Sequence, residues 1–499
     1  MTWDHIVVGA GSAGCVMAAR LSATGARVLL LEAGDDQPAE DNPLRDAGRL
    51  ILQGYNWDHR ANLRTADAGT SRALWTRFPY SLGKVVGGSS AVNGAIAMRA
   101  LPRDLAGWAA AGNPDWSWEK VVPYYDRLET DGLPIRRPGP EDLHELETDF
   151  WHECNRLDLP DLPDLNAGAE EGVGPVPANA VNGVRQDAAT VYLDPVRDRP
   201  NLELRTRTQA VRVLFEGTRA TAVELDDHTI ERTRNVVLCA GAVGTPPILQ
   251  RSGVCSADLA KHLGVDQVLD LPGVGERLAD HPSVVIWSIP RPGVCRPGRP
   301  WRQVAGRMSS EFDDDVDVQV GLLNNVASDT IPGFVDRLKA PMAVGLSVML
   351  MRPKSTGHVR ARSLAPDQGP EIVLGMGGIE EDVNRLICGV RKGWRILRSP
   401  KVTAHLERTQ FWTDRMIGND RTMRAAVRNI MNPGWHAMGT CRMGPATDPM
   451  AVVGQDCRVH GLENVRIVDA SVFPAILSVP TNLTTLMLAE RVSTEDSPL

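Results

Sequence analysis

The sequence predicts an α/β protein in which an antiparallel-sheet domain is inserted into a parallel, helix-covered one. Three observations carry this. The apolar strand His5-Ile6-Val7-Val8 runs into a glycine-rich turn and then a helical stretch, residues 15–21. Further buried-strand patterns lie far downstream, at 235–238 and 465–468. Between those two, from 284 to about 374, the texture changes to longer β-patterned runs at 316–322, 342–351 and 357–362, read together as one antiparallel sheet.

The first element explains itself residue by residue. Gly9, Gly11 and Gly14 follow the strand as G-x-G-x-x-G, with Ser12 and Ala13 opening the helix. Gly9 makes the tight turn, Gly11 lets backbone approach a pyrophosphate, and Gly14 lets the helix lie close to the strand. The helix N-terminus then offers unpaired N–H groups and partial positive charge to phosphates. Glu32 ends a second apolar strand, followed by Ala33-Gly34, where its carboxylate can accept both ribose hydroxyls of an adenosine. Strand, helix and acid at this spacing define a Rossmann-type dinucleotide site. They leave FAD and NAD both open.

Residues 35–76 are polar and turn-rich, with Tyr55 and Trp57 as packing anchors. Residues 83–94, with Gly87, Gly88, Asn93 and Gly94, form a loop that cannot make a helix cheaply and exposes backbone N–H groups to a second phosphate or flavin contact. A helix is predicted after Ser117 and another over 146–157. Strand alternation over 201–223 turns at Glu216-Gly217. The buried run at 235–238 ends in Cys239-Ala240-Gly241, at the sheet edge where open α/β sheets receive ligands. A helix follows over 245–251. Residues 379–397 read as helical, and a last helix starts near Pro480-Thr481-Asn482.

Composition bounds the partners. The 499 residues carry 54 basic and 62 acidic side chains, a net charge of -8, with no basic run of the kind that tracks nucleic acid. Eight scattered cysteines form no C-x-x-C pair, which predicts reduced thiols and no metal site. No apolar run approaches the ~18 residues of a membrane span. The expectation is a soluble, cytoplasmic enzyme without nucleic-acid partners.

Taken together, these stretches resemble the glucose-methanol-choline (GMC) family of flavin-dependent oxidoreductases. The resemblance rests on motifs in family order: the glycine turn with Glu32-Ala33-Gly34, the segment 83–94, Cys239-Ala240-Gly241-Ala242, Asp270-Leu271-Pro272-Gly273-Val274-Gly275, and a closing pair around His436 and Asn482. It implies FAD as cofactor. It places Gly9, Gly11, Gly14 and Glu32 at the adenosine diphosphate half, Ala210 at the adenine, and Ala240 and Gly241 nearby. Gly87, Gly88, Asn93 and Gly94 fall where the family's loop crosses the ribityl and ring, and Asp469 and Ala470 at the pyrophosphate and ribityl end. His436 and Asn482 fall on the catalytic pair over flavin N5, and Asn482 and Leu483 add backbone N–H groups from the last helix. The implied division is 1–155, 184–283 and 425–499 for the FAD domain, and 156–183 and 284–424 for the substrate domain. Val92 stands where some members carry a histidine bonded to flavin, so dissociable FAD is expected. Leu82, Cys255, Arg277-Leu278-Ala279-Asp280-His281 and His436-Ala437-Met438-Gly439-Thr440 depart from the commonest family steps.

The chemistry so implied is oxidation of a primary alcohol: His436 takes the hydroxyl proton, flavin N5 the hydride, and O2 or another acceptor the electrons. Gly434 leaves space beside that histidine, and His281 is expected to orient a loop. A hydroxynitrile-lyase-like enzyme and a redox-silent flavoprotein are the alternatives.

Overall fold

The computed structural model describes residues 2–49, 51–64, 77–130, 132–312, 316–330 and 338–494. Part of the turn-rich stretch, 65–76, lies outside the described residues.

Strand β1 (Trp3–Val8), helix α1 (Ser12–Ala23) and strand β2 (Val28–Leu31) form the opening unit. β1 and β2 pair in parallel, Val8 opposite Leu31. Leu202–Arg205 extends the sheet beyond β2, Ile230–Leu238 lies on the other side of β1, and Val465–Ile467 lies beside that strand, all in parallel. Ile6, Val7, Leu29, Leu30 and Val236 are wholly buried, as strands covered on both faces require. Ile230–Leu238 is longer than the sequence suggests. Its first residues, 230–232, join an antiparallel meander with Ala210–Glu216 and Arg219–Leu225, and from Thr233 on it runs in the parallel sheet.

The second sheet is antiparallel. Pro282–Pro290, Met342–Leu350, Val316–Ala327, Val304–Ser309 and Gly172–Pro175 lie side by side, with Leu406–Thr409 and Asn432–Pro433 beside the first of them. One face is closed by helix Glu380–Leu397. A Cβ on Gly389 would come 2.8 Å from Val318, and one on Gly393 would come 2.9 Å from Leu346, so two bare turns let the helix press onto the sheet. The other face is left toward the first domain. Leu146, Phe150 and Cys154 of helix Glu145–Asn155 pack with this second core.

One sequence expectation is corrected. Gly357–Arg360 does not continue the antiparallel sheet but joins a separate one with Glu276–Leu278, Glu371–Val373, His59–Asn62 and Arg77–Tyr80. The cause lies at residues 353–356. Asp382, in the first turn of helix Glu380–Leu397, accepts the N–H groups of Lys354 (2.9 Å) and Ser355 (2.8 Å) and holds the chain away from a hairpin return. Among the described residues no helix is long and apolar enough to cross a membrane, and none of the eight cysteines is in a disulfide.

Candidate active site

A cavity of about 1350 Å³ runs from the N-terminus of α1 to the open face of the antiparallel sheet. Its first end is built by the glycine turn. Gly9 has φ +98°, and a Cβ there would lie 2.7 Å from the Cys239 carbonyl oxygen. A Cβ on Gly14 would lie 1.8 Å from the Gly9 oxygen, so Gly14 packs helix on strand and does not itself line the cavity. Gly11 caps α1 without a side-chain bond, leaving first-turn N–H groups beside Ser12 and Ala13 on the wall. Glu32 accepts the N–H of Ala10 on one carboxylate oxygen (3.0 Å) and of Gly34 on the other (2.8 Å), and burial pushes its pKa to about 7. Ala33, Ala210, Ala240 and Gly241 complete this end. Asp469 also reaches the wall, but its carboxylate accepts Gly241 N–H (2.9 Å), the Thr245 hydroxyl (2.6 Å) and Ser471 N–H (2.8 Å), fastening the helix after Ala240 to the strand before Ala470.

The second glycine segment lies on the first, backbone to backbone. A Cβ on Gly88 would be 2.6 Å from Gly11 Cα, and Gly87 donates its N–H to the Ala10 oxygen at 2.8 Å. Gly87 therefore serves packing and does not line the cavity, whereas Gly88, Asn93 and Gly94 do. The expected loop holds one helical turn, Ser89–Val92, stabilised by Ser90 donating to the Gly87 carbonyl at 2.6 Å. The Trp301 indole lies against Gly94, where a Cβ would be 2.0 Å from its ring, and donates to the Gly94 oxygen at 3.2 Å. Leu483 is buried off the wall. The first backbone bond of helix Asn482–Thr494 runs from Thr485 to Thr481 (2.9 Å), so N–H groups of its first turn stay free within the helix.

At the far end, His436 follows Trp435, whose φ of +58° turns the chain into the cavity. Asp280 organises this turn. Its wholly buried carboxylate accepts the N–H of His281 (2.7 Å) and of His436 (2.9 Å), and the Tyr80 hydroxyl at 2.6 Å. The rings of His281 and His436 meet Nδ1 to Nδ1 at 2.9 Å, and His281 Nε2 lies 2.7 Å from the Leu477 carbonyl oxygen. A carbonyl only accepts, so His281 carries its proton on Nε2. Burial holds His281 down at about 4 and His436 well below the usual histidine range, so both are neutral near pH 7. His281 Nδ1 is then an acceptor, His436 must donate from Nδ1, and His436 Nε2 is left with a free lone pair. Asp280, His281 and His436 lie close enough to suggest a metal cluster, but the 2.9 Å ring contact holds a proton and Asp280 is already engaged by donors.

Three outcomes differ from the sequence reading. His281 does more than orient a loop: it sets the protonation of His436, and the Asp280-His281 step was the only trace of it. Gly434 is not spare room, because a Cβ there would be 3.0 Å from His436 Nδ1 and 3.2 Å from the His281 oxygen. Asn482 lines the cavity, yet its Oδ1 accepts the Ser12 hydroxyl at 2.7 Å, and among the described residues no hydrogen bond joins it to His436.

A glycine turn under a helix N-terminus, a buried acid ending the next strand and a half-buried neutral histidine share one cavity, the arrangement of a dinucleotide-dependent enzyme. More narrowly, the chain belongs to the GMC oxidoreductase family, whose N-terminal model matches residues 3–283 and whose C-terminal model matches 353–489. An uncharacterised GMC-type oxidoreductase of Rhodococcus erythropolis is 33% identical over 98% of this chain and 97% of its own. The oxygen-dependent choline dehydrogenase of Escherichia coli is 32% identical, covering 99% and 95%. The pyridoxine 4-oxidase of Mesorbium loti superposes with a TM-score of 0.87 at 27% identity, covering 99% of both chains. The chain is thus a GMC enzyme acting on CH–OH donors, a family that binds FAD. The cavity fits that cofactor: bare Gly9 and Gly88 let the two glycine segments and the Cys239–Ala240 backbone close up around its first end, with first-turn N–H groups of α1 and the Glu32 carboxylate on its wall.

Proposed function

We propose that this enzyme oxidises a primary alcohol to the aldehyde with dissociable FAD, His436 being the base, and passes the electrons to O2 or another acceptor. Bound FAD supplies the two-electron acceptor that takes hydride from the carbinol carbon. Glu32, the first turn of α1 and the backbone around Ala240 and Gly241 hold its adenosine diphosphate half, with Asp469 and Ala470 beside them, and Val92 offers no group for a covalent link. The observation that carries the reading is the proton chain from Leu477 through His281 to His436, which leaves Nε2 free to take the hydroxyl proton. An alkoxide is a far better hydride donor than the alcohol, and a positioned base contributes ~10²–10⁴-fold. The Asn482 amide, whose oxygen is occupied by Ser12, retains its Nδ2 to hold the substrate oxygen.

The test is anaerobic mixing of the holoenzyme with a panel of primary alcohols. His436→Ala is expected to keep FAD bound and to slow flavin reduction by at least ~10²-fold. An unchanged reduction rate puts the base elsewhere. Cyanide release from a cyanohydrin with no alcohol bleaching the flavin establishes the lyase instead.

A further inference from the structure

The open face of the antiparallel sheet meets the cavity in three cross-strand rows. Ser283, Met349 and Gln319 form the first, Val285, Ser347 and Gly321 the second, and Trp287, Gly345 and Leu323 the third. In the second row Gly321 has no side chain. The Arg302 guanidinium lies across that gap, where a Cβ on Gly321 would be 3.4 Å from Nε and 3.5 Å from Cζ. Its Cζ sits 5.4 Å from the Trp301 ring centroid, and Nε donates to the Leu322 carbonyl at 3.4 Å. Both Arg302 and Trp301 line the cavity. Among the described residues no carboxylate lies within ion-pair distance of Arg302. The acid that feels its charge, Glu147, is buried, accepts from Gln303 N–H (3.2 Å) and Asn324 (2.9 Å), and has its pKa pushed up to about 8, so it is mostly neutral near pH 7. Burial pulls Arg302 down to about 10, which leaves it charged. His436 lines the same cavity, and the Arg302 charge adds to the burial that lowers its pKa.

We propose that Arg302 is a substrate-binding residue and that the alcohol oxidised here carries a carboxylate, across a flat ring from its carbinol, as in a hydroxymethyl-arenecarboxylate. This rests on the alcohol-oxidising reading above. A guanidinium stacked on an indole keeps its outer N–H groups in one plane, which suits a bidentate carboxylate. The Trp287 and Trp301 rings supply flat walls. Gln319 adds a buried Oε1 with no partner, an acceptor for a second polar substituent. The wider wall agrees: eight lysines and arginines line the cavity against four carboxylates, in a chain of net charge -8. A quaternary ammonium such as choline would lie against that charge.

The experiment compares 4-(hydroxymethyl)benzoate with its neutral amide as anaerobic reductants of the holoenzyme. In parallel, 4-methylbenzoate and 4-methylbenzamide are titrated as non-reacting ligands by perturbation of the flavin spectrum. Charge-assisted bonds predict that the carboxylate of each pair binds about tenfold or more tightly. In Arg302→Met the carboxylate-to-amide ratio falls toward one, and Arg302→Lys recovers part of it. A wild-type ratio of one or less, or a Met variant that weakens both ligands equally, overturns the proposal. If the neutral alcohol alone reduces the flavin, the carboxylate assignment fails and the oxidoreductase reading stands. If 4-methylbenzoate binds selectively but no alcohol in the wider panel reduces the flavin, the oxidoreductase reading fails, and with it the substrate assignment.

Discussion

Replacing His281 by phenylalanine removes the acceptor that holds the His436 proton on Nδ1 while keeping a ring of similar bulk. A buried N–H left without a partner costs about 1–3 kcal/mol. At about 1.4 kcal/mol per factor of ten, the tautomer with a free Nε2 loses about 5- to 150-fold in population. Flavin reduction by a primary alcohol should fall by the same factor, about 5- to 150-fold, because only that tautomer accepts the hydroxyl proton at Nε2. His281→Gln provides the control. Its amide nitrogen can donate to Leu477 and its oxygen can accept from His436, the two bonds the histidine makes at 2.7 and 2.9 Å. The assay is anaerobic stopped-flow bleaching of the flavin band, with FAD content and substrate affinity measured alongside. A Phe variant reduced at the wild-type rate, or a Gln variant as slow as Phe with FAD retained in both, refutes the reasoning.

Two further expectations concern the same cavity. Glu32→Ala strands the Ala10 and Gly34 N–H groups and removes the ribose acceptor, so reconstitution with FAD should weaken by at least about tenfold; stoichiometric FAD after gel filtration, with unchanged affinity, counts against it. The pH dependence of flavin reduction follows from the burial of His436: protonation removes the base, and a pKa held well below 6.5 displaces the acid limb downward, so the rate should stay level from pH 8 to 6.5. An inflection at or above pH 6.5 would show a solvated histidine at work.

Much of the first end of the cavity was readable from neighbours along the chain. Gly9, Gly11, Ser12 and Ala13 act through backbone geometry within a single strand-turn-helix, and Glu32 ends the next strand, so local spacing records their placement directly. Gly87 was legible as a required glycine but not for its purpose: its φ of +94° and its backbone bond to Ala10, 77 residues away, serve packing. The strand at residues 357–360 was legible as a strand, while its sheet depended on two hydrogen bonds to Asp382.

The sequence by itself determined the fold class, the family and the position of the histidine, since each depends on local pattern and motif order. Only the tertiary structure decided which nitrogen of His436 is free, what occupies the Asn482 oxygen, and where an arginine stands over a glycine gap in the sheet. Those are properties of groups brought together from Ser12, His281, Arg302, Gly321, His436, Leu477 and Asn482. Proton position and charge pairing depend on distances of about 3 Å between groups that lie from 19 to 470 residues apart along the chain.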